Sequence, residues 1–103
     1  MFEIEFGDDG QVVVAGRLDA AQAEKAQSFL DRIPTPRVID MRGLEYISSA
    51  GLGVLLKTQK RLMAAGGALK LINVNHHISE VFRYSGFDRL FEVVGTEDPG
   101  PRN

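Results

Sequence analysis

Phe2, Ile4 and Phe6 alternate with Glu3 and Glu5. A period of two predicts a strand with one buried face. "GDDG" at 7–10 is turn chemistry, because Gly and Asp tolerate the positive φ of tight hairpins. "QVVVAG" at 11–16 reads as the returning strand, so residues 2–16 predict a β-hairpin. The period then changes. Asp19 stands as a helix N-cap with Gln22 three residues on, the spacing of a capping box. Ala23, Ala26, Leu30 and Ile33 follow at helical spacing, and "PTP" at 34–36 stops the helix. "RVIDM" at 37–41 is short, apolar and β-branched, which predicts a central strand buried on both faces. "RGLEYIS" leads from it to Ser48 and Ser49.

From Gly51 a helix is expected, with Leu52, Leu55, Leu56, Leu62 and Met63 on its inner face. Lys57, Lys60 and Arg61 fall outside that face and crowd the end that the helix dipole makes negative. Gly66 or Gly67 offers the left-handed residue that closes such a helix. "ALKLINV" at 68–74 predicts the next strand. Asn75 caps a short helix over 76–85 with Ile78, Val81 and Phe82 inward, and Gly86 ends it. A last strand falls near 91–94. The order β-β-α-β-α-β-α-β predicts a single α/β domain over 1–94, a mixed sheet of about five strands with helices packed on it. Residues 95–103 have almost nothing apolar to bury and read as a frayed tail. In such folds the functional edge lies at the carboxyl ends of the strands, and the two serines lie near one.

Composition narrows the class. The 103 residues suit one domain, and 44% hydrophobic with 25% charged is ordinary globular chemistry. There is no cysteine, which excludes disulfides and thiolate metal sites and makes a reducing compartment the expected setting. The first residues are acidic and alternating, unlike a signal peptide, and no apolar run approaches membrane-spanning length; a cytoplasmic location is expected. The net charge is −2, with 12 Lys and Arg spread along the chain. That argues against direct binding of nucleic acid, which calls for a concentrated basic face. Nothing in the helices calls for an obligate dimer, so a monomer or weak dimer is expected.

The serine junction admits three readings. Serine before a helix caps an early N–H, contributing about 1 kcal/mol. A hydrolase nucleophile elbow needs Gly-x-Ser-x-Gly, but Ile47 stands at the first Gly, and His76 and His77 precede Glu80 and every later acid, against that fold's triad order. The third reading is a phosphoswitch. A helix N-terminus tolerates an anion, a phosphate adds about −1.5 to −2 charges, and Gly51 and Gly53 would let a partner come close to the backbone.

"VIDMRGLEYISSAGLGVLL" resembles the signature segment of the STAS domain, the family of bacterial anti-sigma factor antagonists and of a domain in sulfate transporters. "GRLDAAQA" at 16–23 and "FRYSGFDRLFEV" resemble two further family segments, and the match spans residues 2 to about 94. The resemblance implies a binding module and not an enzyme, without metal or other cofactor. Aligned on Gly51, the family's phosphorylated hydroxyl falls on Ser49, with Ser48 where the family usually has Asp and as the lesser candidate acceptor. Ala50 takes the place of the second hydroxyl. The implied partner surface is Asp19, Ser48, Ser49, Ala50, Gly51, Leu52 and Gly53, with Asp40 supporting the switch loop. The implied partners are an anti-sigma factor with a histidine-kinase-like ATPase fold, which phosphorylates the switch serine, and a metal-dependent serine phosphatase, which resets it. The alternative within the family is a STAS scaffold or adaptor that is never phosphorylated, in a signalling or membrane-transport complex.

Other residues carry plainer readings. His76 and His77 are neighbours pointing about 100° apart on a helix, which suits a solvated pair better than a metal site. Gly51-Leu52-Gly53 before Lys57 lacks P-loop spacing. Phe82, Tyr84, Phe87 and Phe91 read as core and its border.

Overall fold

The computed structural model describes residues 1–36 and 38–95. Five strands form one sheet in the order β1-β2-β3-β4-β5: β1 Phe2–Phe6, β2 Val12–Leu18, β3 Val38–Ile47, β4 Lys70–Val74 and β5 Glu92–Gly95. The expected hairpin is present. β1 runs antiparallel to β2, with Phe2 opposite Gly16 and Phe6 opposite Val12, and Gly7 N–H closes the turn onto the Gln11 carbonyl at 2.7 Å. The pairs β2–β3, β3–β4 and β4–β5 are all parallel. Each needs a crossover, supplied by helices α1 (Ala23–Asp31), α2 (Ser49–Ala64) and α3 (His76–Ser85). Right-handed crossovers between strands laid down in sequence order put all three helices on one face.

That topology corrects the expectation for the central strand. Ile39 and Met41 are buried, whereas Val38 and Asp40 are half-buried. β2 and β4 alternate the same way, with Val12, Val14 and Leu71 inward. The core lies between the helices and one side of the sheet only.

β3 is also twice the expected length. It continues through "RGLEYI" to Ile47, pairing with β2 as far as Leu18 opposite Ile47. Two register irregularities in this ladder shift the inward positions to Ile39, Met41, Leu44 and Ile47. A bulge adds a residue and breaks the alternation, so the second half of β3 does not show period two.

Among the described residues β3 pairs with β4 only over Val38–Asp40. Beyond that point side chains continue the connection. Asp40 Oδ1 accepts from the Arg42 N–H at 2.9 Å and from Asn73 Nδ2 at 3.1 Å. Asn73 takes φ +56°, a left-handed conformation to which Asn is better suited than most residues. Asn75 Nδ2 donates to the Leu44 carbonyl at 2.9 Å.

The helix ends follow local chemistry, with one exception. Asn75 Oδ1 accepts from the Ile78 N–H at 2.9 Å and caps α3, and Gly66 and Gly86 take φ +87° and +80° at the ends of α2 and α3. The capping box expected at Asp19 is not formed. Residues Ala20–Gln22 make a 3-10 turn before α1, and the Asp19 side chain makes no capping hydrogen bond. The pairing of Leu18 with Ile47 draws Asp19 toward the sheet edge, and α1 starts only at Ala23.

The inner face of α2 differs from its apolar pattern. Gly51, Val54, Leu55, Thr58, Gln59 and Leu62 are buried, Leu52 and Leu56 are half-buried, and Met63 is exposed. Gln59 is held by the Leu69 N–H and the Leu90 carbonyl. Arg61 donates to the Leu30, Ile33 and Pro34 carbonyls, which closes the end of α1. Among the aromatic residues near the C-terminus, Phe82 and Phe91 are buried and Phe87 packs beside them, but Tyr84 is exposed. The tail expected over 95–103 lies outside the described residues from 96 onward, and Gly95 ends β5.

Asn75 therefore serves two elements at once. Asn75→Ala should destabilise the fold by about 1–2 kcal/mol, and Asn75→Ser, which keeps the cap but cannot reach Leu44 with an amide, should recover only part of that. Urea unfolding of the three proteins checks this.

Candidate functional site

Three of the parallel strands, β2, β3 and β4, end at Leu18, Ile47 and Val74, and each of these ends leads into a helix or turn. Asp19, Ser48 and Asn75 thus occupy equivalent places at the carboxyl edge. Ser48 and Asp19 directly follow two paired strands. The Ser48 N–H donates to the Leu18 carbonyl at 2.9 Å, one step past the last rung.

Helix α2 begins two residues before the expected start, and this separates the two hydroxyls. Ser48 is extended, with φ −91° and ψ 174°, and its Oγ accepts from the Gly51 N–H at 3.2 Å. Its carbonyl accepts from Leu52 N–H at 2.9 Å. Ser48 is therefore the N-cap, and its hydroxyl is occupied. Ser49 is the first helical residue and is exposed, and its hydroxyl has no hydrogen-bond partner among the described residues. It sits at the positive end of a 16-residue helix, where a dianion meets oriented N–H dipoles. Of the two serines, only Ser49 offers a free nucleophilic oxygen without giving up a cap.

The two glycines also differ. A Cβ on Gly51 would lie 2.8 Å from Leu18 Cγ and Ile47 Cγ1 and 2.9 Å from the Leu18 carbonyl oxygen. Gly51 is buried, and its missing side chain serves the joint between α2 and the ends of β2 and β3. Of the residues expected on the partner surface, Gly51 is the buried one. Gly53 is exposed, with nothing within 4 Å of a Cβ. The fold has no need of glycine there, although glycine inside a helix costs about 1 kcal/mol against alanine. Ala50 and Leu52 are half-buried at the rim of the site.

Asp19 lies beside this joint with one carboxylate oxygen, Oδ1, buried and without a hydrogen bond among the described residues. Asp40 is not at the site. It precedes Ser48 by roughly 25 Å of extended chain, and its partners are Arg42 and Asn73. Its carboxylate bonds at the bulge where β3 parts from β4. Arg17 and Tyr46, missed in the sequence, pair across the last rungs of β2 and β3 with the guanidinium 4.3 Å from the ring centroid. Only the length of β3 reveals them.

The histidines are exposed. His76 Nε2 lies 3.9 Å from Glu80 Oε2, and Arg83 bonds the same carboxylate at 2.6 Å. That hydrogen bond, with weaker attraction from the Arg83 and His76 charges, holds the Glu80 carboxyl below the usual carboxylate range. Among the described residues no group of three metal-binding side chains occurs, and no helix is long and apolar enough to cross a membrane.

Residues 4–94 match the family model described as "Mlab, STAS domain". The chain is 35% identical over 96 residues to the candidate anti-sigma factor antagonist BtrV of Bordetella bronchiseptica, covering 87% of this chain and 83% of that one. It is 28% identical over 97 residues to the anti-sigma-B factor antagonist of Bacillus subtilis, covering 90% and 88%. Among solved structures it resembles an anti-sigma factor antagonist from Mycobacterium paratuberculosis, with TM-score 0.76 and 21% identity over 91% of this chain and 84% of that one. It also resembles the Bacillus cell-fate determinant SpoIIAA in its phosphorylated form, with TM-score 0.64 and 23% identity over 90% of each chain.

Two pairs of substitutions check the geometry. Ser48→Ala should cost about 1 kcal/mol of stability, whereas Ser49→Ala should stay within about 0.5 kcal/mol of wild type. Gly51→Ala should cost about 1–3 kcal/mol through overpacking, whereas Gly53→Ala should add about 0.5–1 kcal/mol. Denaturant midpoints of the four variants read all of these.

Proposed function

Because the chain belongs to the STAS-domain family of anti-sigma factor antagonists, we propose that it is the switch component of a partner-switching relay, with Ser49 as its phosphate acceptor. The observation that carries the reading is the division of labour at the junction: Ser48 is occupied as the cap while Ser49 is exposed and free. In this reading the unmodified protein binds an anti-sigma factor of histidine-kinase-like ATPase fold and displaces the sigma factor it holds. The protein acts as binding module and as substrate, and the catalysis belongs to its partners.

The bound kinase then transfers phosphate. Ser49 Oγ attacks the γ-phosphorus of ATP, the bond to the bridging oxygen breaks and ADP leaves with that electron pair. The hydroxyl proton passes to a base on the kinase. The new dianion sits at a helix N-terminus, so it does not strain the fold. It does occupy the surface the partner must touch, together with Ala50, Leu52, Gly53 and the neighbouring Asp19. The anion and its hydration oppose renewed contact, and affinity falls. A metal-dependent serine phosphatase hydrolyses the ester and restores binding.

Trypsin releases residues 43–57 as one peptide bounded by Arg42 and Lys57, which makes the site directly readable. Protein purified from its source organism should carry phosphate on Ser49 of that peptide. The Ser49→Ala protein should bind the anti-sigma factor and accept no phosphate. Phosphate on Ser48 in that variant would refute the assignment. Lack of phosphate under every growth condition, with the protein held in a stable complex, would favour a scaffold that is never modified.

A further inference from the structure

The inner side of α2 is accounted for by the core, but its outer side is not. At about 100° and 1.5 Å per residue, Lys60 returns to within about 20° of the line through Ser49, and Leu56 to about 20° on the other side. Gly53 and Lys57 complete one flank, and Leu52 and Met63 the other. Ser49, Gly53, Lys57, Lys60 and Met63 are exposed, and Leu52 and Leu56 are half-buried. The outer face is thus a strip of about four turns that starts at Ser49, apolar along one side and basic along the other.

Three features set this strip apart from an ordinary solvated helix face. No Asp or Glu occurs in the whole of α2, so its lysines have no acidic neighbours of the kind that usually stud exposed helices. Neither Lys57 nor Lys60 has an ion-pair partner among the described residues, and Arg61, the other cation of the helix, is turned onto the end of α1. Lastly, Gly53 leaves open space at the centre of the strip's upper half, where the backbone can be approached closely.

We propose that the outer strip of α2, from Ser49 to Met63, is a docking surface for an acidic partner element. That element carries an apolar ridge that packs on Leu52, Leu56 and Met63, and its acids face Lys57 and Lys60. This rests on the partner-switching reading and adds to it the chemistry of the partner and the means of release. The two lysines give the strip a charge of +2. A phosphate on Ser49 contributes about −1.5 to −2, which cancels the field that draws an acidic surface in. Release then follows from loss of attraction along the helix as well as from obstruction at Ser49. A second copy of this chain is a poor occupant, because an antiparallel pairing of two strips sets lysines against lysines.

The test uses the full-length protein and each histidine-kinase-like anti-sigma ATPase of the source organism, purified with a non-hydrolysable ATP analogue. Association rates are measured from low to physiological ionic strength for wild type, for Lys57→Glu/Lys60→Glu and for Lys57→Arg/Lys60→Arg. The charge-reversed protein should associate at least about tenfold more slowly at low salt, and the gap should narrow as salt screens the surface. The arginine pair should match wild type, and all three should unfold at similar denaturant concentrations. A charge-reversed protein with wild-type rates and salt dependence, in a system where phosphorylated Ser49 still blocks binding, overturns the docking surface and leaves the switch intact. If wild type binds none of the ATPases, the antagonist reading falls, and this surface with it.

Discussion

The site depends on one close contact. The backbone of α2 at Gly51 presses against Leu18 and Ile47, the last residues of two paired strands. A side chain at Gly51 would push the helix away from the sheet edge. With the contact made, the chain turns within one residue from strand to helix. Ser48 falls at the cap, and Ser49 becomes the first helical residue, facing out. The chemistry of the junction therefore follows from packing below it. The same contact explains why the expected capping box is missing, since the rung between Leu18 and Ile47 places Asp19 at the edge before α1 can begin.

Much of the architecture was legible because it is local. The hairpin, the Asn75 cap and the left-handed glycines after α2 and α3 each rest on a few neighbouring residues whose conformational preferences suffice. The second half of β3 was not legible, because its two irregularities hide the alternation of Leu44 and Ile47. The inner face of α2 was misjudged for a related reason. Thr58 and Gln59 look solvent-facing in the sequence, but Gln59 finds partners at Leu69 and Leu90, more than two turns or a whole element away. Met63 is apolar but lies within about 40° of the line through Ser49, so it faces outward while its neighbour Leu62 is buried. Asp40 ends the apolar run "RVID", which suggested a strand terminus, but the strand bulges there and continues.

The family assignment and the geometry support different parts of the account. Membership rests on the match over residues 4–94 and on relatives at up to 35% identity among those compared. The distinction between the two serines, and between the two glycines, comes from this chain alone. Its departure from the usual family pattern, Ser48 in place of Asp, keeps the capping function, because serine and aspartate are comparable N-caps. The outer strip of α2 extends the same logic: Lys57, Lys60 and Met63 are exposed, Leu52 and Leu56 keep part of their surface outward, and the fold holds them in a fixed line below Ser49.

On this account, modification changes a surface carried on a frame that does not move. The most direct test installs phosphoserine at position 49 and compares backbone amide chemical shifts and hydrogen exchange with the unmodified protein. Changes should be confined to the end of β2, the junction itself and the first turns of α2, while the β3–β4 ladder and the Asp40–Asn73 contact keep their protection. Altered protection across that ladder or in α3 would contradict the account and mean that phosphate acts by rearranging the fold.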